Sequence, residues 1–414
     1  FFFIIKFIYI YMRIAIIGGG VQGISLLAEL QEAGFNCMLF ESYNKIGGIW
    51  AQSLHVPYLS LQICSQHYRY PDFSWGKNIP KPSGKKICKY LNSYIENKNL
   101  EKYIYLNSTV TNVIENDNNC ILTINNKYNI TADIILCTGK STIPNFDKNY
   151  KKHKNAIHTS QITKKHINSA KNHKCVVIGG SKSAADAVYH FSQNGATVYW
   201  VARRFNTFAK FNSKTSLSLL KILKSFGNEK YIFDLKIHKN DPIHVGTGNV
   251  VTEKEYNVLK NIKTFKNSVK SVNYDYITLM DNTILYCDTL IIATGYIDNK
   301  CSMNIENRFN KKSNKIITNL DLKPLITTFG CINSHLVARA MVTFLKSNEW
   351  KKKTFQDWWN LHALNNWGLF LYQIKYLLTT GKINKFDLYK AKQLSILLKF
   401  LCIIILIFLI NKMY

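Results

Sequence analysis

The sequence lacks several patterns that are typical of common functional classes. Its ten cysteines form no CxxC pair and no short-chain disulfide framework, which argues against a disulfide reductase. No zinc-like spacing of cysteine and histidine is present, so nucleic-acid binding is not expected as the main function. Several cysteines lie in apolar runs, which suits buried thiols in a reducing compartment: Cys37, Cys137, Cys175 and Cys402.

Acidic residues are scarce. Against 54 lysines and arginines the chain has 25 aspartates and glutamates, which gives a formal charge of +29. Such a charge fits an electropositive surface for nucleotides or anionic lipid, or a general abundance of lysine. The lysines are dispersed along the chain, which favours the second reading. With 47% hydrophobic and 19% charged residues, the 414 residues are expected to form two or three globular domains.

Both ends of the chain are apolar. We predict that residues 1–12 are a non-native or leader-like extension with Met12 as the natural start, because no small-residue cleavage site precedes the first strand pattern. Residues 391–414 form a hydrophobic tail, in which the run 394–410 is slightly short for a span of about 20 residues. A tail anchor, an interfacial helix and a buried helix remain open. We expect membrane attachment on the cytoplasmic side of an intracellular membrane such as the endoplasmic reticulum, and otherwise a cytoplasmic protein.

Two glycine-rich loops each follow a buried-strand pattern and open into a helix pattern. The first loop, residues 18–23 (GGGVQG), is completed by a second strand pattern at 36–40 with Glu41 at its end. Gly18 permits the tight turn, Gly20 lets a pyrophosphate approach the backbone, and Gly23 allows close helix–strand packing. Glu41 is expected to accept hydrogen bonds from ribose hydroxyls, which suits FAD or NAD.

The second loop, residues 179–184 (GGSKSA), departs from the full motif because a serine and an alanine replace two glycines. Arg203 and Arg204 stand where Glu41 stands in the first unit, and this exchange predicts contact with the 2′-phosphate of NADPH. The alternative is two arginines on an exposed loop of a basic protein. We predict that four further residues bind this cofactor: Gly179, Ser181, Lys182 and Ser183.

Beyond the loops, a set of short motifs resembles the flavin-containing monooxygenases, especially the plant-type members. These are GGIW at 47–50, Leu61-Gln62, YPDFSW at 70–75, CTG at 137–139 and ATGY at 293–296. Each is weak alone, and together they cover Met12 to about Trp359. The resemblance implies that further residues contact the cofactors: Gly48, Trp50, Thr138, Gly139, Thr294 and Gly295.

The resemblance implies a bound FAD reduced by NADPH. It also implies that reduced flavin and O2 form a C4a-hydroperoxide, which gives one oxygen atom to a small nucleophilic nitrogen or sulfur compound. In many members an asparagine faces the flavin after GGxW. Cys64 aligns there with Gln62 nearby, so both are candidates for the catalytic site or for a structural role. The family signature around His158 keeps only the histidine, which argues against assignment to the sulfur- and nitrogen-oxidising core of the family and against a Baeyer–Villiger variant.

The fold class follows from these units. We predict an α/β protein with two Rossmann-like three-layer dinucleotide-binding domains, the NADPH domain (171–288) inserted in the FAD domain (13–170 and 289–390). Residues 151–172 are expected to be a linker that includes a hydrogen-bonded His158, and residues 277–286 a hairpin. Alternatives to the monooxygenase are a flavin-dependent NADPH oxidase or diaphorase, and a membrane-associated FAD-binding protein without turnover.

Overall fold

A computed structural model describes the chain in ten segments. They are residues 12–137, 144–206, 208–211, 232–233, 250–296, 304–305, 315–318, 330–347, 349–355 and 357–358.

The described residues form strands and helices that alternate along the chain. The strands are β1 (Arg13–Ile17), β2 (Asn36–Phe40), β3 (Ile104–Tyr105), β4 (Val110–Glu115), β5 (Cys120–Ile124), β6 (Tyr128–Ala132), β7 (Ile134–Cys137), β8 (Ala156–His158), β9 (Lys174–Ile178), β10 (Thr197–Ala202), β11 (Phe208–Lys210), β12 (Ile232–Phe233), β13 (Val250–Val251), β14 (Lys263–Lys266), β15 (Val269–Val272), β16 (Tyr276–Leu279), β17 (Ile284–Tyr286), β18 (Thr289–Ile292), β19 (Asn304–Ile305) and β20 (Ile316–Thr318). The helices are α1 (Val21–Glu32), α2 (Ile49–Gln52), α3 (Gly84–Asn97), α4 (Lys164–Ser169), α5 (Lys182–Gln193), α6 (Glu253–Leu259) and α7 (Gly330–Lys346).

The first sheet is parallel and has the strand order β20-β7-β1-β2-β3. Alternate side chains of β1 enter two different cores, because successive residues of a strand point to opposite faces. Ile14 and Ile16 pack with the helices α1, α3 and α7. Ala15 packs with the antiparallel strands β4 and β5 on the other face. Both faces of β1 are therefore covered, as its continuous apolar run requires.

The second sheet repeats this arrangement with the order β14-β10-β9-β18-β8, again all parallel. In β9, Cys175 and Val177 face helices α4 to α6, whereas Val176 and Ile178 face the antiparallel strands β15 to β17. The structure thus confirms the predicted fold class of two Rossmann-like units in three layers. It also confirms the predicted hairpin, which is formed by β16 and β17.

The second sheet extends beyond the predicted range of 171–288. Strand β8 comes from the stretch expected to be a linker, and β18 comes from the stretch assigned to the return of the first domain. Three residues of β8 are too few to stand out in a polar, basic stretch. Strand β18 leads into ATGY, and that motif alone does not say which sheet the strand joins.

Candidate functional site

The first glycine-rich loop joins β1 to α1 and binds Glu41 through its backbone. Gly18 has φ of 103° and donates its N–H to the Phe40 carbonyl at 2.8 Å. The Gly19 N–H donates to Glu41 Oε2 at 2.6 Å, and the Tyr43 N–H donates to Oε1 at 2.8 Å. Glu41 is only 3% exposed. These bonds fix its carboxylate at the carboxyl edge of the first sheet, beside the phosphate loop.

Gly20 precedes α1, and no side chain caps this helix. Among the described residues, no acceptor meets the N–H groups of Gly20 and Val21. Gly48 closes over the loop from the GGIW segment: its φ is +55°, and a Cβ there would lie 2.9 Å from the Gly20 Cα. The Gly47 N–H also donates to the Gly19 carbonyl at 2.9 Å. The loop therefore offers amides and a positive helix end to an anion, and the close approach of the GGIW segment requires glycine at position 48.

The sequence did not predict a role for Gln22, because it stands at a variable position of the glycine-rich motif. Its Nε2 donates to the Ser334 carbonyl in the first turn of α7 at 3.3 Å, whereas its buried Oε1 has no partner among the described residues. This orphaned acceptor beside the phosphate loop is a polar atom that a bound group would satisfy. Gly23 lies on the buried face of α1.

Trp50 of GGIW is fixed by aromatic neighbours. Its Nε1 donates to the Tyr68 hydroxyl at 2.8 Å, and the two rings meet edge to face at 6.0 Å. Trp75 of YPDFSW donates its Nε1 to the Tyr68 carbonyl at 2.8 Å. Burial raises the pKa of Tyr68 well above its ordinary value. The two tryptophan motifs therefore meet at one buried tyrosine.

Gln62 and Cys64 lie on the segment that follows GGIW. Gln62 Oε1 accepts the Val250 N–H at 2.9 Å, which joins this segment to β13. Cys64 is fully buried, and burial raises the pKa of its thiol against opposing hydrogen bonds from the Asn78 side chain and the Lys81 backbone. Cys64 is therefore a neutral thiol at neutral pH, and Gln62 is engaged with the backbone of the second unit.

The second glycine-rich loop joins β9 to α5 and is closely packed. Gly179 has φ of 138°, and a Cβ there would lie 2.4 Å from the Ala293 carbonyl oxygen. A Cβ on Gly180 would lie 1.9 Å from the Arg204 carbonyl oxygen. The Gly179 N–H donates to Val201 at 2.9 Å. Both positions must therefore be glycine because of the neighbouring backbone alone. The contact at Gly180 also places the loop directly against the segment that carries Arg203 and Arg204.

A cleft of about 1110 Å³ opens beside this second loop. Arg203 and Arg204 stand exposed at its wall, and neither has a carboxylate partner among the described residues. Tyr150 is half-buried there. Burial and the nearby Asp147 raise its pKa above the ordinary value, against the opposing effect of Arg203. Two free guanidinium groups at the end of a strand suit an anion such as a phosphate. The cleft is lined by Asn145, Asp147, Tyr150, Ile178, Gly179, Gly180, Ser181, Ser183, Val201, Ala202, Arg203, Arg204, Asn206, Asn267, Ser268, Val269, Ala293, Thr294, Gly295 and Tyr296.

Lys182 differs from its neighbours in the loop. Ser181 and Ser183 line the cleft, but the Lys182 ammonium forms an ion pair with Asp186 one turn along α5. Its position in the motif predicted a phosphate contact, whereas a carboxylate at i+4 on the same helix face holds it. In the structure Lys182 is not among the residues that line the cleft.

Thr294 and Gly295 end β18 at the mouth of the cleft. The Thr294 hydroxyl donates to the Asn145 carbonyl at 2.6 Å, and the Asn145 N–H donates to the Gly295 carbonyl at 2.9 Å. His158, fully buried, lies with its Nε2 3.0 Å from the same carbonyl, and its Nδ1 accepts from the Ser160 hydroxyl at 2.8 Å. Burial lowers the pKa of His158, so it is neutral and holds the ATGY segment in place.

Some predicted features fall outside the described residues. These are Thr138, Gly139, the extension before Met12 and the apolar run 394–410. Within the described segments no cluster of three or more metal-ligating side chains occurs, and seven of the cysteines there are free and buried. No helix in the described part of the chain is long and apolar enough to cross a membrane.

Known proteins share this architecture and parts of the sequence. Residues 15–259, more than half of the chain, match the family described as Pyridine nucleotide-disulphide oxidoreductase. Human flavin-containing monooxygenase 3 is 24% identical over 340 residues, which cover 69% of this chain and 62% of that protein. The FAD-dependent monooxygenase DEP4 of Fusarium langsethiae is 29% identical over 202 residues, which cover 46% of this chain and 35% of that protein.

The chain therefore spans less than two thirds of the length of these curated relatives. Among solved structures, OTEMO in complex with FAD and NADP aligns with a TM-score of 0.62 and 15% identity, covering 82% of this chain and 86% of that one. At this identity the likeness establishes the fold.

Proposed function

The chain belongs to the pyridine nucleotide-disulphide oxidoreductase family, and on this premise we propose that it is an FAD- and NADPH-dependent monooxygenase of the flavin-containing type, to which its relatives are similar. Its substrates are O2 and a small molecule with a nucleophilic nitrogen or sulfur atom. One observation carries the proposal: the two phosphate loops end in opposite charges. A buried carboxylate follows the first loop, and two exposed arginines without a carboxylate partner in the described segments follow the second.

FAD fits the first loop. The amides of Gly20 and Val21, which meet no acceptor within the described segments, and the positive end of α1 suit its pyrophosphate, and Glu41 suits its ribose. The orphaned Gln22 Oε1 adds an acceptor at the same place. Because Gly48 has no side chain, its backbone can pack directly against Gly20 of the loop. Trp50 follows this contact two residues later in the sequence.

NADPH fits the second loop and its cleft. The volume of about 1110 Å³ is large enough for a dinucleotide. Arg203 and Arg204 supply charge-assisted hydrogen bonds to a 2′-phosphate, which NADH lacks. Ser181 and Ser183 lie where the loop meets α5, as a pyrophosphate requires.

The chemistry belongs to the cofactors, and the protein positions them and excludes water. Held at the first loop by the amides of Gly20 and Val21 and by Glu41, FAD would supply the redox chemistry, namely reduction by a hydride from NADPH and activation of O2 for transfer of one oxygen atom. Cys64 and Gln62 belong to the segment assigned to the flavin side. The Cys64 thiol is neutral and the Gln62 side chain is an amide, so neither adds a charge there. His158 stays neutral and orients ATGY without moving a proton.

The test is product analysis by mass spectrometry of purified FAD-loaded protein with NADPH, 18O-labelled O2 and a panel of amines and sulfides. We expect a product that carries one labelled oxygen atom. NADPH consumption with peroxide as the only product would instead identify an oxidase. Protein that cannot take up FAD would contradict the proposal.

We further propose that the apolar run 394–410 attaches the protein to the cytoplasmic face of an intracellular membrane. Its composition and the basic residues before it support this proposal. Deletion of residues 394–414 should release the protein from the membrane fraction. Recovery of the intact chain entirely in the soluble fraction would contradict it.

A further inference from the structure

Four charged side chains alternate in sign where the two units meet. Lys81 lies in the loop before α3, Glu255 on α6, and Lys182 and Asp186 on α5. Lys81 Nζ lies 2.7 Å from Glu255 Oε1, and Lys182 forms an ion pair with Asp186. All four are largely buried, with side-chain exposures of 18%, 11%, 12% and 24% in the order Lys81, Glu255, Lys182 and Asp186. We call this set the charge ladder.

Glu255 forms the ion pair with Lys81, and its helix α6 packs against α5, which carries the other pair. Burial opposes its charge, but Lys182 and Lys81, with the Thr252 amide, hold its pKa below the ordinary value. Its Oε2 accepts the Thr252 N–H at 2.6 Å, and the Thr252 hydroxyl accepts the Glu255 N–H at 3.2 Å. This capping box fixes the direction of the carboxylate, so Glu255 meets Lys81 without needing the lysine for its orientation.

The contact around the charge ladder is specific. The Tyr58 ring stacks on His190 of α5 with centroids 4.6 Å apart and planes at 9°. Burial lowers the pKa of His190, so an uncharged ring faces the tyrosine. Gln62 adds its bond to the Val250 N–H, and His55 Nε2 lies 2.6 Å from the Ser160 carbonyl. The segment 55–83 is thus held to the second unit at several separate points.

The position of Lys182 shows what the ladder joins. A lysine in the first turn of a helix opposes the helix dipole, so it needs carboxylate partners. Asp186 and Glu255 supply them. Lys182 follows Ser181 of the second phosphate loop, and Lys81 ends the segment that carries Gln62 and Cys64. The ladder therefore runs from the segment assigned to the flavin side to the helix that begins at the nicotinamide cofactor's loop.

We propose that the charge ladder is a positioning device that sets α5 and its phosphate loop against the segment 55–83. This inference rests on the proposed function, because the distance it sets is the one between the two dinucleotides. Hydride transfer requires reacting atoms about 3–3.5 Å apart, and a displacement of about 1 Å can cost about a hundredfold in rate. Lys81 and Glu255 thus act through α5 and touch neither cofactor.

The test uses variants that remove charge and keep shape. Glu255→Gln retains the capping box, because glutamine also serves at that position. Lys81→Met removes the other charge, and Lys81→Arg keeps it. The controls are Glu253→Gln on α6 and Lys86→Met on α3, both exposed. FAD content, the Kd of NADP+ and the limiting rate of anaerobic flavin reduction are measured for each.

We expect Glu255→Gln and Lys81→Met to lower the limiting reduction rate about tenfold while FAD content and the Kd of NADP+ stay within about twofold of wild type. Lys81→Arg should keep most of the rate, and both controls should match wild type. Unchanged rates in the two test variants would overturn the inference. A fall in rate matched by an equal loss of NADP+ binding would also overturn it.

A second readout separates this inference from the proposed function. Hydrogen exchange of backbone amides in 55–83 and 253–259 should increase in Glu255→Gln and not in Glu253→Gln. If wild-type protein shows no flavin reduction by NADPH, the proposed function fails. The hydrogen-exchange comparison then remains as the test of whether the charge ladder positions the segment 55–83. Unchanged exchange in both segments would overturn the positioning role.

Discussion

Single residues set the character of each phosphate loop. Glu41 was predicted from its spacing to the first loop, and the arginines from their place in the second, because a short β-α-β unit fixes where the next strand ends. Lys182 shows the limit of such reasoning. Its partner Asp186 lies four residues on, but the electrostatic link to Glu255 joins residues distant in sequence. Gln22 is a second example. Its Oε1, which has no partner among the described residues, is buried because α7 packs beside the loop, and the sequence does not indicate that packing.

A reciprocal pair of glycine variants tests the two loops separately. Gly48→Ala places a Cβ 2.9 Å from Gly20 Cα at φ of +55°, so we expect loss of FAD. Gly180→Ala places a Cβ 1.9 Å from the Arg204 carbonyl, so we expect weaker NADP+ binding with FAD retained. Flavin absorbance and calorimetry with NADP+ measure the two effects. Each variant is the control for the other, and equal losses of both ligands in both variants would contradict separate sites.

At the scale of elements, apolar runs next to a glycine loop or a turn were predicted well, whereas a short strand in a polar stretch was not. Strands β1 and β9 and their helices stand out because long apolar runs flank glycines. Strand β8 was missed because only pairing with β18 makes its three residues a strand.

Helix α7 shows how packing creates a buried charge. It lies against α1, and Glu29 is held between them by Arg339 at 3.0 Å and beside His335 at 3.1 Å.

This contact predicts a pH-dependent stability. Burial raises the pKa of Glu29 to about 7 despite the opposing effect of Arg339. The folded protein therefore keeps a proton that the unfolded chain releases, and this contribution is lost as the pH rises from about 4.5 through about 7. Burial also lowers the pKa of His335 to about 3, so its contribution is lost as the pH falls below its ordinary value.

The variant Glu29→Gln isolates the carboxyl. We expect its Tm to rise relative to wild type between about pH 4.5 and about pH 7, because the folded wild type keeps the Glu29 proton that its unfolded chain releases in that window, and so loses stability there. Thermal unfolding at several pH values measures this, with Glu96→Gln on the exposed side of α3 as control. A Tm difference that stays constant with pH would show that Glu29 does not titrate there.

The whole molecule repeats one design. Each parallel sheet has helices on one face and an antiparallel sheet on the other, and each presents a glycine loop at its carboxyl edge. The sequence predicted two dinucleotide units because each loop carries its own local pattern. The contact between the units could not be predicted, because it depends on pairs such as Lys81–Glu255 and Gln62–Val250 that are far apart along the chain.

The central claim is that two differently charged phosphate loops bring FAD and NADPH together. Anaerobic stopped-flow mixing of the FAD-loaded protein with NADPH or NADH tests it most directly. We predict rapid bleaching of the flavin by NADPH, and an apparent Kd for NADPH that rises about tenfold or more in Arg203→Ala/Arg204→Ala while that for NADH stays unchanged. A flavin that NADPH does not reduce, or a double variant that still prefers NADPH as strongly as wild type, would contradict the account.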